Sequence, residues 1–164
     1  MRPFEHLFIN ASAVSAAEND VTVQFLGNTN LLISDGNSHI LIDGWFSRPS
    51  FLTSKFFTFE PDRDEITRVL ERAGITKLDA VIPAHSLFDH AMDSPIVASS
   101  SGAQLIGSQS SLNIGRGLNL SEKQMRLAVS GEEMIFGAFT VTLIDTKHYR
   151  FPGAAANTVS RHLC

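Results

Sequence analysis

Hydrophobic positions fall first into a period of two, then into short unbroken runs, then into a helical period. Val21, Val23 and Phe25 alternate with Thr22 and Gln24, which predicts a strand with one buried face. Leu31-Leu32-Ile33 and Ile40-Leu41-Ile42 are continuous apolar runs, which predict strands covered on both sides and hence a sheet flanked by other layers. Gly27-Asn28 and Asp35-Gly36-Asn37 separate them with turn chemistry. Between Pro61 and Gly74 the period lengthens. Asp62, Asp64 and Glu65 place acids in a first turn, Ile66, Val69, Leu70 and Ala73 form one apolar face, and Gly74 closes the helix. Its return to Leu78-Asp79-Ala80-Val81-Ile82, a short buried strand stopped by Pro83, is a crossover of βαβ type.

Beyond Pro83 the pattern predicts a helix from about His90 to Ser100 and a strand at Ala103-Gln104-Leu105-Ile106. Ser108 to Asn119 reads as a short helix or an ordered loop. Further strands are expected at Lys123–Val129, Met134–Phe136 and Phe139–Ile144, with turns at Ser130-Gly131-Glu132 and Gly137-Ala138. Trp45 to Phe59 is aromatic-rich without a clean period, a loop that either packs on the core or walls a cleft.

Composition narrows the class. The 164 residues, 43% hydrophobic and 18% charged, suit one globular domain with a real core. A net charge of -4 argues against a nucleic-acid partner, which needs Lys and Arg patches. The single Cys164 allows no intramolecular disulfide and no Cys-x-x-Cys site. No apolar run is long enough to predict a membrane span. Residues 1–20 read as a disordered or processed leader that makes a poor signal peptide, so a cytoplasmic address is expected, with a periplasmic or secreted one if the leader is processed.

Chemistry concentrates in Pro83-Ala84-His85-Ser86-Leu87-Phe88-Asp89-His90-Ala91-Met92-Asp93. Two imidazoles and a carboxylate there leave the carboxyl end of a strand, where α/β sheets place ligands, and they are donors that suit zinc. Asn113-Ile114-Gly115-Arg116-Gly117 lacks the glycine spacing of a phosphate loop and carries no weight.

The motif His85-x-x-x-Asp89-His90 after an apolar strand resembles the His-x-His-x-Asp-His signature of the metallo-β-lactamase superfamily, with Leu87 at the middle histidine. Val21–Gly27, Asn30–Gly36, His39–Gly44, Gly102–Ser108 and Phe136–His148 resemble its flanking strands. The resemblance implies an α/β (α+β) αββα sandwich, here only its first part, over about residues 21–151, with residues 152–164 as an unrelated tail. It implies that His85 and His148 hold a first metal and that Asp89 and His90 hold a second, with Asp89 also catalytic. Zinc is the expected ion, one or two per chain, with iron or manganese as alternatives. Asp93 is expected to orient His90, and Asp43 either to orient the loop or simply to make a turn.

Two functions stay open. One is a metal-dependent hydrolase using metal-activated hydroxide on an ester, amide, lactone or phosphoester of small-molecule size. The other is a truncated, non-catalytic member, because Leu87 offers no lone pair and no segment resembles the superfamily's last two ligands. An exposed sheet edge and face also predict homodimerisation.

Overall fold

The computed structural model of the chain describes residues 20–48 and 60–146. Its centre is a six-stranded sheet in which sequence order equals spatial order: β1 (Thr22–Phe25), β2 (Leu31–Ser34), β3 (His39–Ile42), β4 (Ala80–Ile82), β5 (Gln104–Gly107) and β6 (Met125–Leu127). The first three strands are antiparallel; β3 to β6 run parallel. Parallel neighbours need crossovers, which α1 (Arg63–Arg72), α2 (Phe88–Ala91), α3 (Ser94–Ser101) and α4 (Gln109–Gly117) provide. A 3-10 turn, Glu122–Gln124, leads into β6, and a separate hairpin, β7 (Glu133–Phe136) with β8 (Phe139–Thr142), follows it.

Side-chain alternation sorts the sheet into two faces. Leu32, Leu41, Val81 and Leu105 join Ile66 and Leu70 of α1, Ile96 and Val97 of α3 and Leu112 of α4 in one core cluster. Ile40, Ala80, Ile82 and Ile106 point to the other face, where Met134 of the hairpin seals them and Phe136, Phe139 and Val141 pack around. The stack is therefore helices, sheet, hairpin: three of the four layers of an αββα sandwich among the described residues. Each fully buried Leu or Ile contributes about 1.5–3 kcal/mol, so the larger helix-side cluster carries most of the stability.

Helix α1 forms as its caps dictate. Asp62 accepts the Glu65 amide at 3.0 Å, Asp64 and Glu65 occupy the first turn, and Gly74 follows at φ +68°. Ser108 caps α4 by accepting the Ser111 amide, so the stretch from Ser108 is a helix, and Gly115-Arg116-Gly117 is its C-terminal turn.

Two expectations need correction. Val21, Val23 and Phe25 are 57%, 62% and 61% exposed, so the alternating face of β1 is not buried. Alternation aligned them with Ile33 and Leu31 of β2, but the hairpin covers the sheet only nearer β3 to β5. For the same reason β2 is covered fully on one side only, with Leu31 and Ile33 half-buried. The helix from about His90 is instead two pieces, α2 and α3, because Pro95 begins a new helix and Asp93 turns inward between them. The segment 49–59 of the aromatic stretch lies outside the described residues; of the rest, Phe46 is 1% exposed in the helix-side core.

Candidate functional site

The candidate residues gather at the carboxyl ends of β3 and β4. β3 delivers Asp43, whose backbone sits at φ +63°, a left-handed conformation that Asp tolerates better than most residues. The Asp43 amide bonds the Ile82 carbonyl at 2.9 Å, locking the two strand ends together. Its side chain, 1% exposed, is then committed on both oxygens. Oδ1 accepts the Ala84 amide at 2.7 Å, and Oδ2 lies 2.8 Å from Nδ1 of His90. Because a carboxylate only accepts, the His90 proton sits on Nδ1 and neutral His90 presents its Nε2 lone pair. Asp89 Oδ2 lies 3.7 Å from that Nε2.

His85 completes the group. Its ring centroid is 3.8 Å from that of His90, at 53° between planes, and its Nδ1 accepts the Leu87 amide at 3.3 Å. Leu87 is half-buried and starts α2, its carbonyl taking the amides of His90 and Ala91. Asp93 does not orient His90. Its carboxylate, fully buried, accepts the amides of Phe46 and Ser47 at 2.7 Å each and the Ser47 hydroxyl at 2.9 Å. Burial pushes its pKa up, against the opposing pull of these bonds from Ser47 and Phe46. Asp43 holds the imidazole, and Asp93 holds the loop after β3. His148 lies outside the described residues, as do His6 and His162.

The turn between β1 and β2 supplies residues that sequence reasoning passed over. Asn28, at φ +54°, donates its amide to the Asp89 carbonyl at 3.0 Å, and Thr29 Oγ1 lies 3.3 Å from His90 Nδ1. Asn30, fully buried, donates to the Trp45 carbonyl and accepts the amides of Gly44 and Trp45. Arg48 donates to the Leu26 carbonyl across Gly27, where a Cβ would run into the guanidinium. The signal for this clasp was present in the run Asn28-Thr29-Asn30, more polar than a plain turn requires.

Trp45 stands edge-on to Phe88, centroids 5.8 Å apart, beside α2. Next to His85 opens a cavity of about 430 Å³. It is bounded by the ends of β3 to β6 and by Leu143 to Thr146 after β8.

A divalent ion suits the donors by type, since neutral imidazole and carboxylate are zinc ligands and His90 is already oriented by Asp43. Geometrically the described set is incomplete: no three His, Cys, Asp or Glu side chains among the described residues converge as a metal site. His90 lies beside His85 on one side and Asp89 on the other, and Leu87 contributes no donor. No described helix is long and apolar enough to cross a membrane.

No protein-family model and no curated protein matches the sequence. Solved structures do match by fold. The metallo-β-lactamase SMB-1 in complex with mercaptoacetic acid superimposes with a TM-score of 0.52 at 18% identity, over 73% of this chain and 48% of that one. A Cronobacter sakazakii metallo-β-lactamase with a HARLDQ motif gives 0.53 at 21% identity, over 74% and 50%. This chain has part of the metallo-β-lactamase fold, and it spans about half the length of the solved structures it matches.

Proposed function

We propose that the chain carries a metal-dependent hydrolytic site, directed at an ester, amide, lactone or phosphoester. The observation that carries this reading is the 2.8 Å bond from Asp43 to His90, in contact with His85 and Asp89 at the carboxyl end of β4. A buried carboxylate that fixes one imidazole tautomer is how proteins prepare a histidine to bind a cation. The fold likeness to metallo-β-lactamases supports the reading.

His85, Asp89 and His90 are the donors proposed for zinc, or alternatively iron or manganese, with His148 as a further donor; the three do not converge as one closed set among the described residues, so the ion would draw on His85 with His148 or on Asp89 with His90. When bound, such an ion acidifies water and polarises the bond to be cleaved. The chain's own residues do the rest. Asp43 and Thr29 keep His90 Nε2 facing the site; the Asp89 carboxylate, partly exposed, accepts a proton from attacking water; Asn28 fixes the Asp89 backbone.

Metal per chain, measured by elemental mass spectrometry on untagged protein after zinc loading, tests this. One or two ions are expected. A value near zero would sink the hydrolase reading and favour a non-catalytic binding module, the reading to which Leu87 and the incomplete donor set point.

A further inference from the structure

The turn that touches Asp89 and His90 is itself clamped from a third element. The Leu26 amide bonds the Asn30 carbonyl at 3.0 Å and the Asn30 amide bonds the Gly27 carbonyl at 3.1 Å, so the turn closes on itself. Gly27 and Asn28 carry positive φ in succession, +92° and +54°. Glycine and asparagine tolerate that conformation without being confined to it, so local chemistry does not hold the turn in one shape. Its tip nevertheless meets the donor segment twice. Asn28 Nδ2 donates to the Asp89 carbonyl at 3.0 Å, and Thr29 Oγ1 lies 3.3 Å from His90 Nδ1.

Two side chains anchor the turn to the loop after β3. Asn30, fully buried, ties one end of it to Gly44 and Trp45. Arg48 ties the other. Its Nη2 donates to the Leu26 carbonyl at 2.9 Å, and its guanidinium fills the space that a side chain on Gly27 would need. The loop bearing Arg48 is fixed in turn by Asp93, which accepts the amides of Phe46 and Ser47 and the Ser47 hydroxyl. Asp93 lies four residues beyond Asp89, across α2, so the contacts form a ring: Asp89 to Asn28, through the turn to Arg48, and back through Ser47 to Asp93.

From this ring we infer that Arg48 is a positioning residue for Asp89 and His90, acting through Gly27 and Asn28 and not on the ion or the substrate. Its role rests on the hydrolase reading only for what the two donors do; the clamp belongs to the metal-free fold. Arg48 is also the anchor whose function separates from folding. It is exposed, whereas removing Asn30 or Asp93 strands buried backbone amides. A guanidinium suits the task, because its rigid fork donates to a carbonyl while packing on bare glycine backbone.

The test compares the full chain with Arg48→Met, Arg48→Lys, Asn28→Ala and the double variant Arg48→Met with Asn28→Ala. In metal-free, nitrogen-15-labelled protein at one fixed pH, Arg48→Met should shift the ring-nitrogen resonances of His90 and leave those of His39, at the other end of β3, in place. In zinc titrations Asn28→Ala should bind about tenfold more weakly. Arg48→Met should lose about two- to fivefold, the scale of an exposed contact, and Arg48→Lys, which keeps a donor, should recover part of it. The double variant should bind no more weakly than Asn28→Ala alone, since a residue acting through Asn28 then has nothing further to lose. Unmoved His90 resonances, or losses that add in the double variant, would overturn the inference. So would a loss of affinity that follows a loss of thermal stability and that Arg48→Lys does not relieve. Shifted His90 resonances in a protein that takes up no zinc would uphold the clamp and sink the hydrolase reading. Zinc uptake indifferent to Arg48→Met would uphold that reading and overturn the clamp.

Discussion

Asp43 and His90, forty-seven residues apart in sequence, meet at 2.8 Å between Oδ2 and Nδ1, with the carboxylate 1% exposed. Replacing Asp43 by Ala should remove both the imidazole's anchor and the acceptor for the Ala84 amide. Loss of such a supporting partner typically lowers metal affinity about 10–100-fold. Zinc titration of Asp43→Ala against the parent reads this directly. Thr29→Val should give a smaller loss that Thr29→Ser restores, since only the hydroxyl reaches Nδ1.

Leu87→His supplies the imidazole that the His85–His90 stretch lacks. Leu87 is half-buried and belongs to neither core cluster, so the substitution should shift thermal stability little. Zinc per chain should rise. An unchanged metal content in a folded variant would mean that position 87 does not face the ion.

Asp93 links stability to pH. Burial raises its folded pKa above the ordinary 3.8, so in that window the native state holds a proton that the unfolded chain has released. Its contribution is therefore greatest below about 3.8 and is lost as pH rises through the folded value. Asp93→Asn removes this dependence. The stability difference between parent and variant, measured by urea unfolding, should move against the parent as pH rises across that range; a difference constant with pH would contradict the assignment.

Among the described residues, strand β1 ends the sheet, with Val23 and Phe25 exposed and no charge or proline within the strand. Self-association through this edge is expected. Phe25→Lys should shift sedimentation toward the monomer; a parent monomeric at high concentration would exclude it.

The chain by itself determined a good deal. Apolar runs at Leu31–Ile33, Ile40–Ile42 and Ala80–Ile82 placed three neighbouring strands, acidic residues and Gly74 bounded α1, and the spacing from His85 to His90 marked the candidate residues. These are local signals, written in period and cap chemistry. Tertiary structure decided what local signals leave open. The period of β1 shows which residues share a face; whether that face is buried depends on how far the hairpin reaches, and it stops short. The sequence pointed to Asp93 as the partner of His90 and left Asp43 only a loop or turn role. The choice fell to Asp43 because β3 ends beside β4, while Asp93, between α2 and α3, turns into the loop at Phe46 and Ser47. The cavity, too, exists only because residues from Ile42 to Thr146 converge at one end of the sheet, a juxtaposition that no contiguous stretch encodes.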